Sequence, residues 1–215
     1  MIRIDLHTHS SASPDGSLTL ADYKRMLETN KLEVIAITDH NTIDFAQKAQ
    51  QALGEQIIVG EEITTTEGEI IGLYLTKRIE PGLSAHETAQ EIKKQHGAVY
   101  IPHPFETVRK GISLETLDEI AELVDIIEVH NGRAVFQNRG QQARIWAQKH
   151  QVAMAASSDA HGRIGWGRTY SQVAEVSTNK TLTQTLSRPE TQLHTKAVGL
   201  RGLAYPKLNK LRKRT

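Results

Sequence analysis

The 215-residue chain contains no cysteine, which excludes disulfide bonds and thiolate metal sites. Phe, Trp and Tyr make up only 5% of the residues, and they form no cluster that would serve as a stacking platform for single-stranded nucleic acid. No apolar run approaches the roughly 20 residues that span a bilayer, and the first residues do not resemble a signal peptide. The last two absences, of a spanning run and of a signal peptide, predict a soluble, cytoplasmic protein, whereas the lack of cysteine leaves the question of export open.

Charge is nearly balanced, with 26 Lys and Arg against 25 Asp and Glu, but no acidic residue follows Glu190. The length suits one compact domain, which we expect at residues 1–195, followed by a basic tail at 196–215. This tail could be solvated, could bind the phosphates of nucleic acid, or could dock on the domain through apolar side chains. Its basic residues are Lys196, Arg201, Lys207, Lys210, Arg212, Lys213 and Arg214, and its apolar residues are Leu200, Leu203, Tyr205, Leu208 and Leu211.

Nine side chains that can bind metal ions stand close to short apolar runs. These runs, at residues 1–6, 34–37, 57–59, 98–101 and 152–156, have the length of buried strands. Imidazoles and carboxylates from the ends of several strands converge chiefly in a parallel barrel, at the carboxyl end of its strands. The pattern therefore predicts a multinuclear hydrolytic site. The nine residues are His7, His9, Asp15, His40, Glu62, Glu69, His103, Asp159 and His161.

Helical signals alternate with these strands. We predict capping boxes at Thr19 with Asp22 and at Ser84 with Glu87, and further helices at residues 43–53, 114–123 and 137–150. The alternation favours parallel crossover units over a sandwich of two sheets. The exception is the pair of strands at 57–66 and 69–76, which only two residues separate and which should form a hairpin.

Alternation along a strand decides which neighbouring side chains share a face. His7 and His9 are two residues apart and share a face, as a chelating pair requires. Glu61 and Glu62 are adjacent, so only one of them can face the site. Asp39, next to His40, is a candidate to orient a neighbouring imidazole.

The order of these motifs resembles that of the polymerase and histidinol phosphatase superfamily, the PHP domain family. The motifs run from residue 7 to residue 161, and the chain is most similar to the small stand-alone members. The resemblance implies a distorted barrel of seven strands and helices, (β/α)7, that binds two or three divalent ions and hydrolyses phosphomonoesters, phosphodiesters or nucleic acids. The matching motifs are the HxH of His7 and His9, Asp15, the TDH that ends at His40, the GxE that ends at Glu62, His103-Pro104, and the SDAH that ends at His161.

The resemblance also implies a ligand assignment, in which Glu62 bridges two ions. One ion would bind His7, His9, Glu62 and Asp159; a second would bind Glu62, Glu69 and His103; a third would bind Asp15, His40 and His161. Many relatives have a histidine where this chain has Glu69. A carboxylate is a harder ligand than imidazole, so it favours manganese or iron over zinc, although all three metals remain open.

A phosphoesterase also needs a cation for the outer phosphate oxygens. Arg133 is the first candidate, and Arg163 and Arg168 are the others. The leading hypothesis is a phosphoesterase for small phosphorylated molecules or nucleotides. The alternatives are a nuclease for single-stranded or short oligonucleotides, which the basic tail would assist, and a metal-binding module without catalysis.

Overall fold

The computed structural model describes residues 1–135, 137–176 and 178–213. Within these residues the sheet has nine strands, in the spatial order β7-β6-β5-β4-β3-β2-β1-β8-β9. They are β1 (Ile2–Asp5), β2 (Val34–His40), β3 (Ile57–Thr64), β4 (Glu69–Leu73), β5 (Ala98–Ile101), β6 (Ile126–Asn131), β7 (Ala153–Ser157), β8 (Tyr170–Val173) and β9 (Gln192–His194).

Seven helices are described in the same ranges. They are α1 (Leu20–Glu28), α2 (Asp44–Leu53), α3 (Ala85–Lys94), α4 (Leu114–Glu119), α5 (Gly140–His150), α6 (Asn179–Leu186) and α7 (Gly199–Arg212). Both predicted capping boxes are present, at the starts of α1 and α3. Two helical segments are shorter than predicted: 114–123 divides into α4 and a 3₁₀ turn at Ala121–Leu123, and 137–150 becomes helical only at Gly140.

The sheet curves into a nearly closed barrel with helices around it, so the predicted α/β barrel is confirmed. Strand pairs β1-β2, β2-β3, β5-β6 and β6-β7 are parallel, whereas β4 is antiparallel to both β3 and β5. The hairpin of β3 and β4 is therefore also confirmed, and β4 interrupts the parallel order of the strands. At the other edge, β8 and β9 are added antiparallel to β1.

One face of the strands is apolar over most of its length and polar at one end. Val34 and Ala36 of β2, and Ile58 of β3, belong to one buried cluster. The same alternation continues to His40 and Glu62, which the register of β2 and β3 places opposite each other. Because β4 runs in reverse, its first residue, Glu69, lies at this same end of the sheet. The carboxyl end of the barrel is thus where the polar side chains gather.

No helix in the described part of the chain is both long and apolar enough to cross a membrane. The segment expected to be a basic tail contains α7, and the last part of this helix contacts the loops around Ser11 and His161. Arg214 and the side chain of Leu200 lie outside the described residues.

We predict that Ser171→Ala weakens the closure of the barrel. Ser171 Oγ accepts a hydrogen bond from Ala156 N at 2.9 Å and donates one to Ala156 O at 3.1 Å, which ties β8 to β7. Loss of the hydroxyl leaves two buried backbone groups without these bonds, so the free energy of unfolding should fall by about 1–3 kcal/mol. Urea unfolding measures this change, and the exposed Ser187→Ala is the control. Equal stability of the two variants would contradict the prediction.

Candidate metal centre

Glu62 lies at the centre of the polar end of the barrel, with only 1% of its surface exposed. Its Oε2 atom is 3.2 Å from both His9 Nε2 and His40 Nδ1. The same atom is 3.5 Å from His7 Nε2, and Oε1 is 3.1 Å from His103 Nε2. Both carboxylate oxygens therefore face imidazole nitrogens, as a ligand shared between two ions requires. Glu61 has the opposite orientation and accepts a hydrogen bond from Ile79 N at 2.9 Å.

Three groups of candidate ligand atoms occur among the described residues. Within each group, all the atoms lie within 4.8 Å of one another. Together they contain eight of the nine side chains identified from the sequence. The groups overlap more than the resemblance implied, because His7 and His9 each belong to two of them. The groups are His7, His9 and Asp159; His7, Glu62 and His103; and His9, Asp15, His40 and His161, the last of which we call the Asp15 cluster.

The Asp15 cluster fits a metal ion better than it fits a hydrogen-bonded network. Asp15 Oδ1 is buried and has no hydrogen-bond partner within the described ranges. It lies 3.6 Å from His40 Nε2 and 3.5 Å from His161 Nε2. Ligand atoms at about 2.1 Å from a common ion lie roughly 3–3.5 Å from one another. These separations are close to that range and longer than a good hydrogen bond.

Glu69 is the ninth side chain and lies at the edge of the centre. Its carboxylate oxygens are 4.0 Å from His103 Nε2 and 4.0 Å from His40 Nδ1. Burial, followed by the charge of Glu62, raises the pKa of Glu69 to about 7. The structure thus brings all nine side chains to one end of the barrel, with Glu69 farther from the imidazoles than Glu62.

A tenth residue, Glu128, holds two of the histidines and was not identified from the sequence. His7 Nδ1 is 3.4 Å from Glu128 Oε1, and His103 N donates to Oε2 at 2.7 Å. Tyr100 OH and Asn131 Nδ2 also donate to this carboxylate, at 2.9 and 2.7 Å. With Nδ1 of His7 directed at Glu128, Nε2 points toward Glu62. A carboxylate behind an imidazole in this way fixes its orientation as a metal ligand.

Serine and aspartate side chains brace the loops that carry the ligands. Ser13 Oγ is 3.1 Å from His9 Nδ1 and accepts a hydrogen bond from His40 N at 3.0 Å. Asp39 accepts bonds from the backbone N and the hydroxyl of Ser10. The expectation that Asp39 orients an imidazole is therefore wrong: it holds the loop that follows His9.

Burial and charge set the protonation of the centre. Burial lowers the pKa of His9, but the carboxylates of Asp159 and Glu62 outweigh it and raise the value to about 9. Burial, with the charges of His9 and Arg133, lowers the pKa of His161 to about 3. Burial raises the pKa of Asp159, but Arg133 and nearby imidazoles hold it well below its usual range. These directions favour the charged form of Asp159 and the neutral form of His161.

Only one of the three candidate arginines lies at the centre. Arg133 Nη1 donates to both oxygens of Asp159 at 3.2 Å, and its Nε is buried with no hydrogen-bond partner in the described part of the chain. The side chain of Arg163 is 72% exposed and its Nε lies 3.7 Å from Asp22. Arg168 is also exposed. Neither Arg163 nor Arg168 lines the cavity that holds the candidate ligands, and both side chains face solvent.

A second arginine beside Asp159 is Arg109, which was not among the candidates identified from the sequence. It donates to Asp159 Oδ2 at 2.8 Å, to Asn131 Oδ1 at 2.5 Å and to both oxygens of Glu106 at 2.6 Å. Its donors are thus largely engaged in holding Asp159. No motif or spacing in the sequence distinguishes Arg109, whereas Glu128 leaves a weak signal as a single acid inside the apolar run 126–129.

Seven of the nine candidate ligands, all except His7 and His9, line an open cavity of about 420 Å³. Its wall combines candidate ligands with cations from several loops and with part of α7. The cationic residues that line it are Arg109, Lys110, Arg133 and Lys210, and α7 contributes Pro206 as well as Lys210. The cavity therefore places positive side chains around an acidic, imidazole-rich base.

Comparison with models of protein families assigns the chain to a family. The model of the PHP domain matches residues 5–184, which include every candidate ligand. The chain belongs to the PHP domain family. The match ends before β9 and α7, so these two elements of the PHP protein lie outside the family model.

Two relatives of this PHP protein come from Methanocaldococcus jannaschii, and both are uncharacterized. One is 33% identical over 150 residues, which cover 64% of this chain and 88% of the relative. The other is 32% identical over 188 residues, which cover 83% of this chain and 73% of the relative.

Solved structures share the fold at low sequence identity. A two-domain protein from Bacteroides vulgatus, which contains a predicted PHP-like metal-dependent phosphoesterase, has a TM-score of 0.73 at 19% identity over 97% of this chain and 69% of that chain. A protein from Bifidobacterium adolescentis, proposed to be a metal-dependent phosphoesterase, has a TM-score of 0.61 at 17% identity over 93% of this chain and 98% of that one. Both support the distorted barrel.

We predict that Glu128→Gln weakens metal binding without unfolding the protein. The amide keeps the size of the side chain but removes the charge behind His7, so His7 becomes a less basic and less oriented ligand. The apparent affinity for Mn²⁺ or Zn²⁺ should fall about 10–100-fold, as measured by titration against a competing chelator. The exposed Glu122→Gln is the control. Unchanged affinity in Glu128→Gln would show that Glu128 does not orient a ligand.

Proposed function

We propose that this PHP protein is a metal-dependent phosphoesterase that hydrolyses small phosphomonoesters or phosphodiesters. The observation that carries the proposal is the position of Glu62, with both carboxylate oxygens among four imidazoles at the base of a cation-lined cavity. A purely structural metal site is usually closed by its ligands. The open cavity above these ligands instead favours access by a substrate.

The three ligand groups favour two or three divalent ions, of which manganese, zinc and iron all suit imidazole and carboxylate ligands. Such ions lower the pKa of water and withdraw charge from a phosphoryl oxygen, which is the chemistry they would supply here. The protein's part is to hold Glu62 and Asp159 as charged ligands and to orient the imidazoles through Glu128 and Ser13.

Arg133 is the side chain best placed to meet a substrate phosphate. It lines the cavity beside Asp159, and 16% of its side chain is exposed. A guanidinium fork can donate two parallel hydrogen bonds to phosphate oxygens. Lys110 and Lys210 extend from other sides of the cavity, and more than half of each side chain is exposed. They add positive charge that attracts an anionic substrate.

The size of the cavity favours a small substrate over a long nucleic acid. A volume of about 420 Å³ falls in the range of small-molecule sites, roughly 300–1,000 Å³. The nuclease alternative rests on the exposed basic residues of α7, including Arg201 and Lys207. Of the tail's other basic residues, Lys210 and Lys213 contact Asp15 and the Ser11–Ser13 backbone instead. This arrangement weakens the case for a separate nucleic-acid arm.

We predict that hydrolysis of phosphate esters requires an added divalent ion, with manganese at least as effective as zinc because Glu69 adds a carboxylate. His9→Ala and Asp159→Ala should each lower kcat/KM at least about 100-fold, since each removes a ligand. The assay is a panel of nucleotides, sugar phosphates, chromogenic esters and short oligonucleotides, with metal content measured. His86→Ala, at an exposed position of α3, is the control.

Three outcomes of that assay are informative. Turnover of oligonucleotides alone would favour the nuclease. Absence of turnover by fully metallated protein would favour the metal-binding module. Hydrolysis that persists without any divalent ion would overturn the proposal.

We predict that Arg133→Met lowers kcat/KM on the order of 10²-fold, the usual effect of removing one donor to a transition-state oxygen. Arg133→Lys should remain impaired, because an ammonium group cannot donate in the geometry of a fork. Arg168→Met is the control, since Arg168 is exposed outside the cavity. Metal content is measured in each variant, because Arg133 also contacts Asp159. Wild-type kcat/KM in a fully metallated Arg133→Met protein would exclude this role.

A further inference from the structure

Helix α7 lies outside the segment that the family model matches, yet it contacts two loops of the metal centre. Asn209, on the side of this helix that faces the barrel, is only 3% exposed. Its Nδ2 donates to Asp15 O at 2.7 Å and to His161 O at 3.1 Å. Both partners are carbonyl oxygens, so only the amide nitrogen of Asn209 can face them. One side chain thus joins two residues of the Asp15 cluster that are far apart in sequence.

A second contact fixes the same loop from the end of α7. Lys213 Nζ donates to Ser11 O at 2.7 Å and to Ser13 O at 2.5 Å. Ser13 in turn contacts His9 Nδ1 and accepts a hydrogen bond from His40 N. The helix therefore supports, directly or through one residue, all four members of the Asp15 cluster.

Close packing holds α7 against the loop that follows His161. A Cβ atom at Gly162, directly after His161, would lie 2.6 Å from the ring of Tyr205. On the helix itself, a Cβ atom at Gly202 would lie 2.8 Å from Val198 Cβ and 2.9 Å from Ile164 O. Two glycines thus allow the helix and the 161–165 loop to approach closely, which keeps Asn209 within hydrogen-bond distance of both carbonyls.

We propose that α7 is a clamp that assembles the Asp15 cluster, and that Asn209 is its positioning residue. Without the bridge, the loop that carries Asp15 and the loop that carries His161 can separate, and the cluster loses the spacing that suits one ion. The two groups that contain His7 do not include Asp15 or His161, so ions bound there should be less affected. The proposal rests on the metal centre described under the proposed function, but not on turnover.

The test is Mn²⁺ binding to the full-length chain, measured by titration with a competing chelator and by metal content after desalting. Asn209→Ala should lose one ion per chain, or bind it at least about 10-fold more weakly, while the other ions are retained. Asn209→Asp keeps the size of the side chain but presents carboxylate oxygens to two carbonyls, so it should show the same loss. The exposed Lys207→Ala, on the same helix, is the control and should bind like the wild type.

The readout separates this proposal from the phosphoesterase activity. Selective loss of one ion in the folded Asn209 variants supports the clamp even if no ester is hydrolysed. Wild-type number and affinity of ions in either folded variant overturns it. Equal weakening of every ion also overturns it, because a general loss of structure would then explain the result. If Asn209→Ala does not fold, the Mn²⁺ titration of Asn209→Asp alone decides between these outcomes.

Discussion

The structure depends on the burial of charged carboxylates at one end of a barrel, because each buried charge needs a compensating partner. Burial alone would raise the pKa of Glu62, but His40, His7 and His103 hold it well below its usual range. Arg133 and nearby imidazoles do the same for Asp159. This compensation requires the elements that carry the ligands to end at the same end of the barrel. The strand order, the hydrogen bonds of Ser13 and Asp39, and the contacts of α7 together hold them there.

The reversed strand β4 illustrates how the fold meets that requirement. In a barrel of parallel strands, the start of each strand lies at the end opposite the site. Because β4 is antiparallel to β3, its first residue, Glu69, instead lies opposite Thr64 at the carboxyl end of the barrel. The same arrangement keeps Glu69 at the edge of the centre, where its pKa of about 7 reflects burial beside Glu62. Its oxygens lie farther from the imidazoles of His40 and His103 than those of Glu62 do.

Cations around the cavity have two different tasks. Arg109 is saturated by Glu106, Asn131 and Asp159, so it acts on the ligand rather than on a substrate. Arg133 lines the cavity with part of its side chain exposed, and the lysines of the rim are exposed. A phosphate that enters the cavity would therefore meet one preorganised guanidinium and flexible ammonium groups. Under the proposed function, such a combination suits a compact anion more than an extended polymer, which would need a continuous basic surface.

The sequence alone determined the ligand types, the strand ends that carry them, the helix caps and the hairpin, because these features depend on neighbours within a few residues. Alternation predicted that only one of Glu61 and Glu62 can face the site, and the GxE motif of the family selected Glu62. Only the tertiary structure decided which side chains contact one another. It places Glu128 behind His7, and Asn209 between Asp15 and His161. It also places Arg109 and Arg133 beside Asp159, whereas Arg163 and Arg168 are exposed. His7 and Glu128 are 121 residues apart, and their distance follows from the order of strands in the sheet and from loop paths that no local spacing encodes.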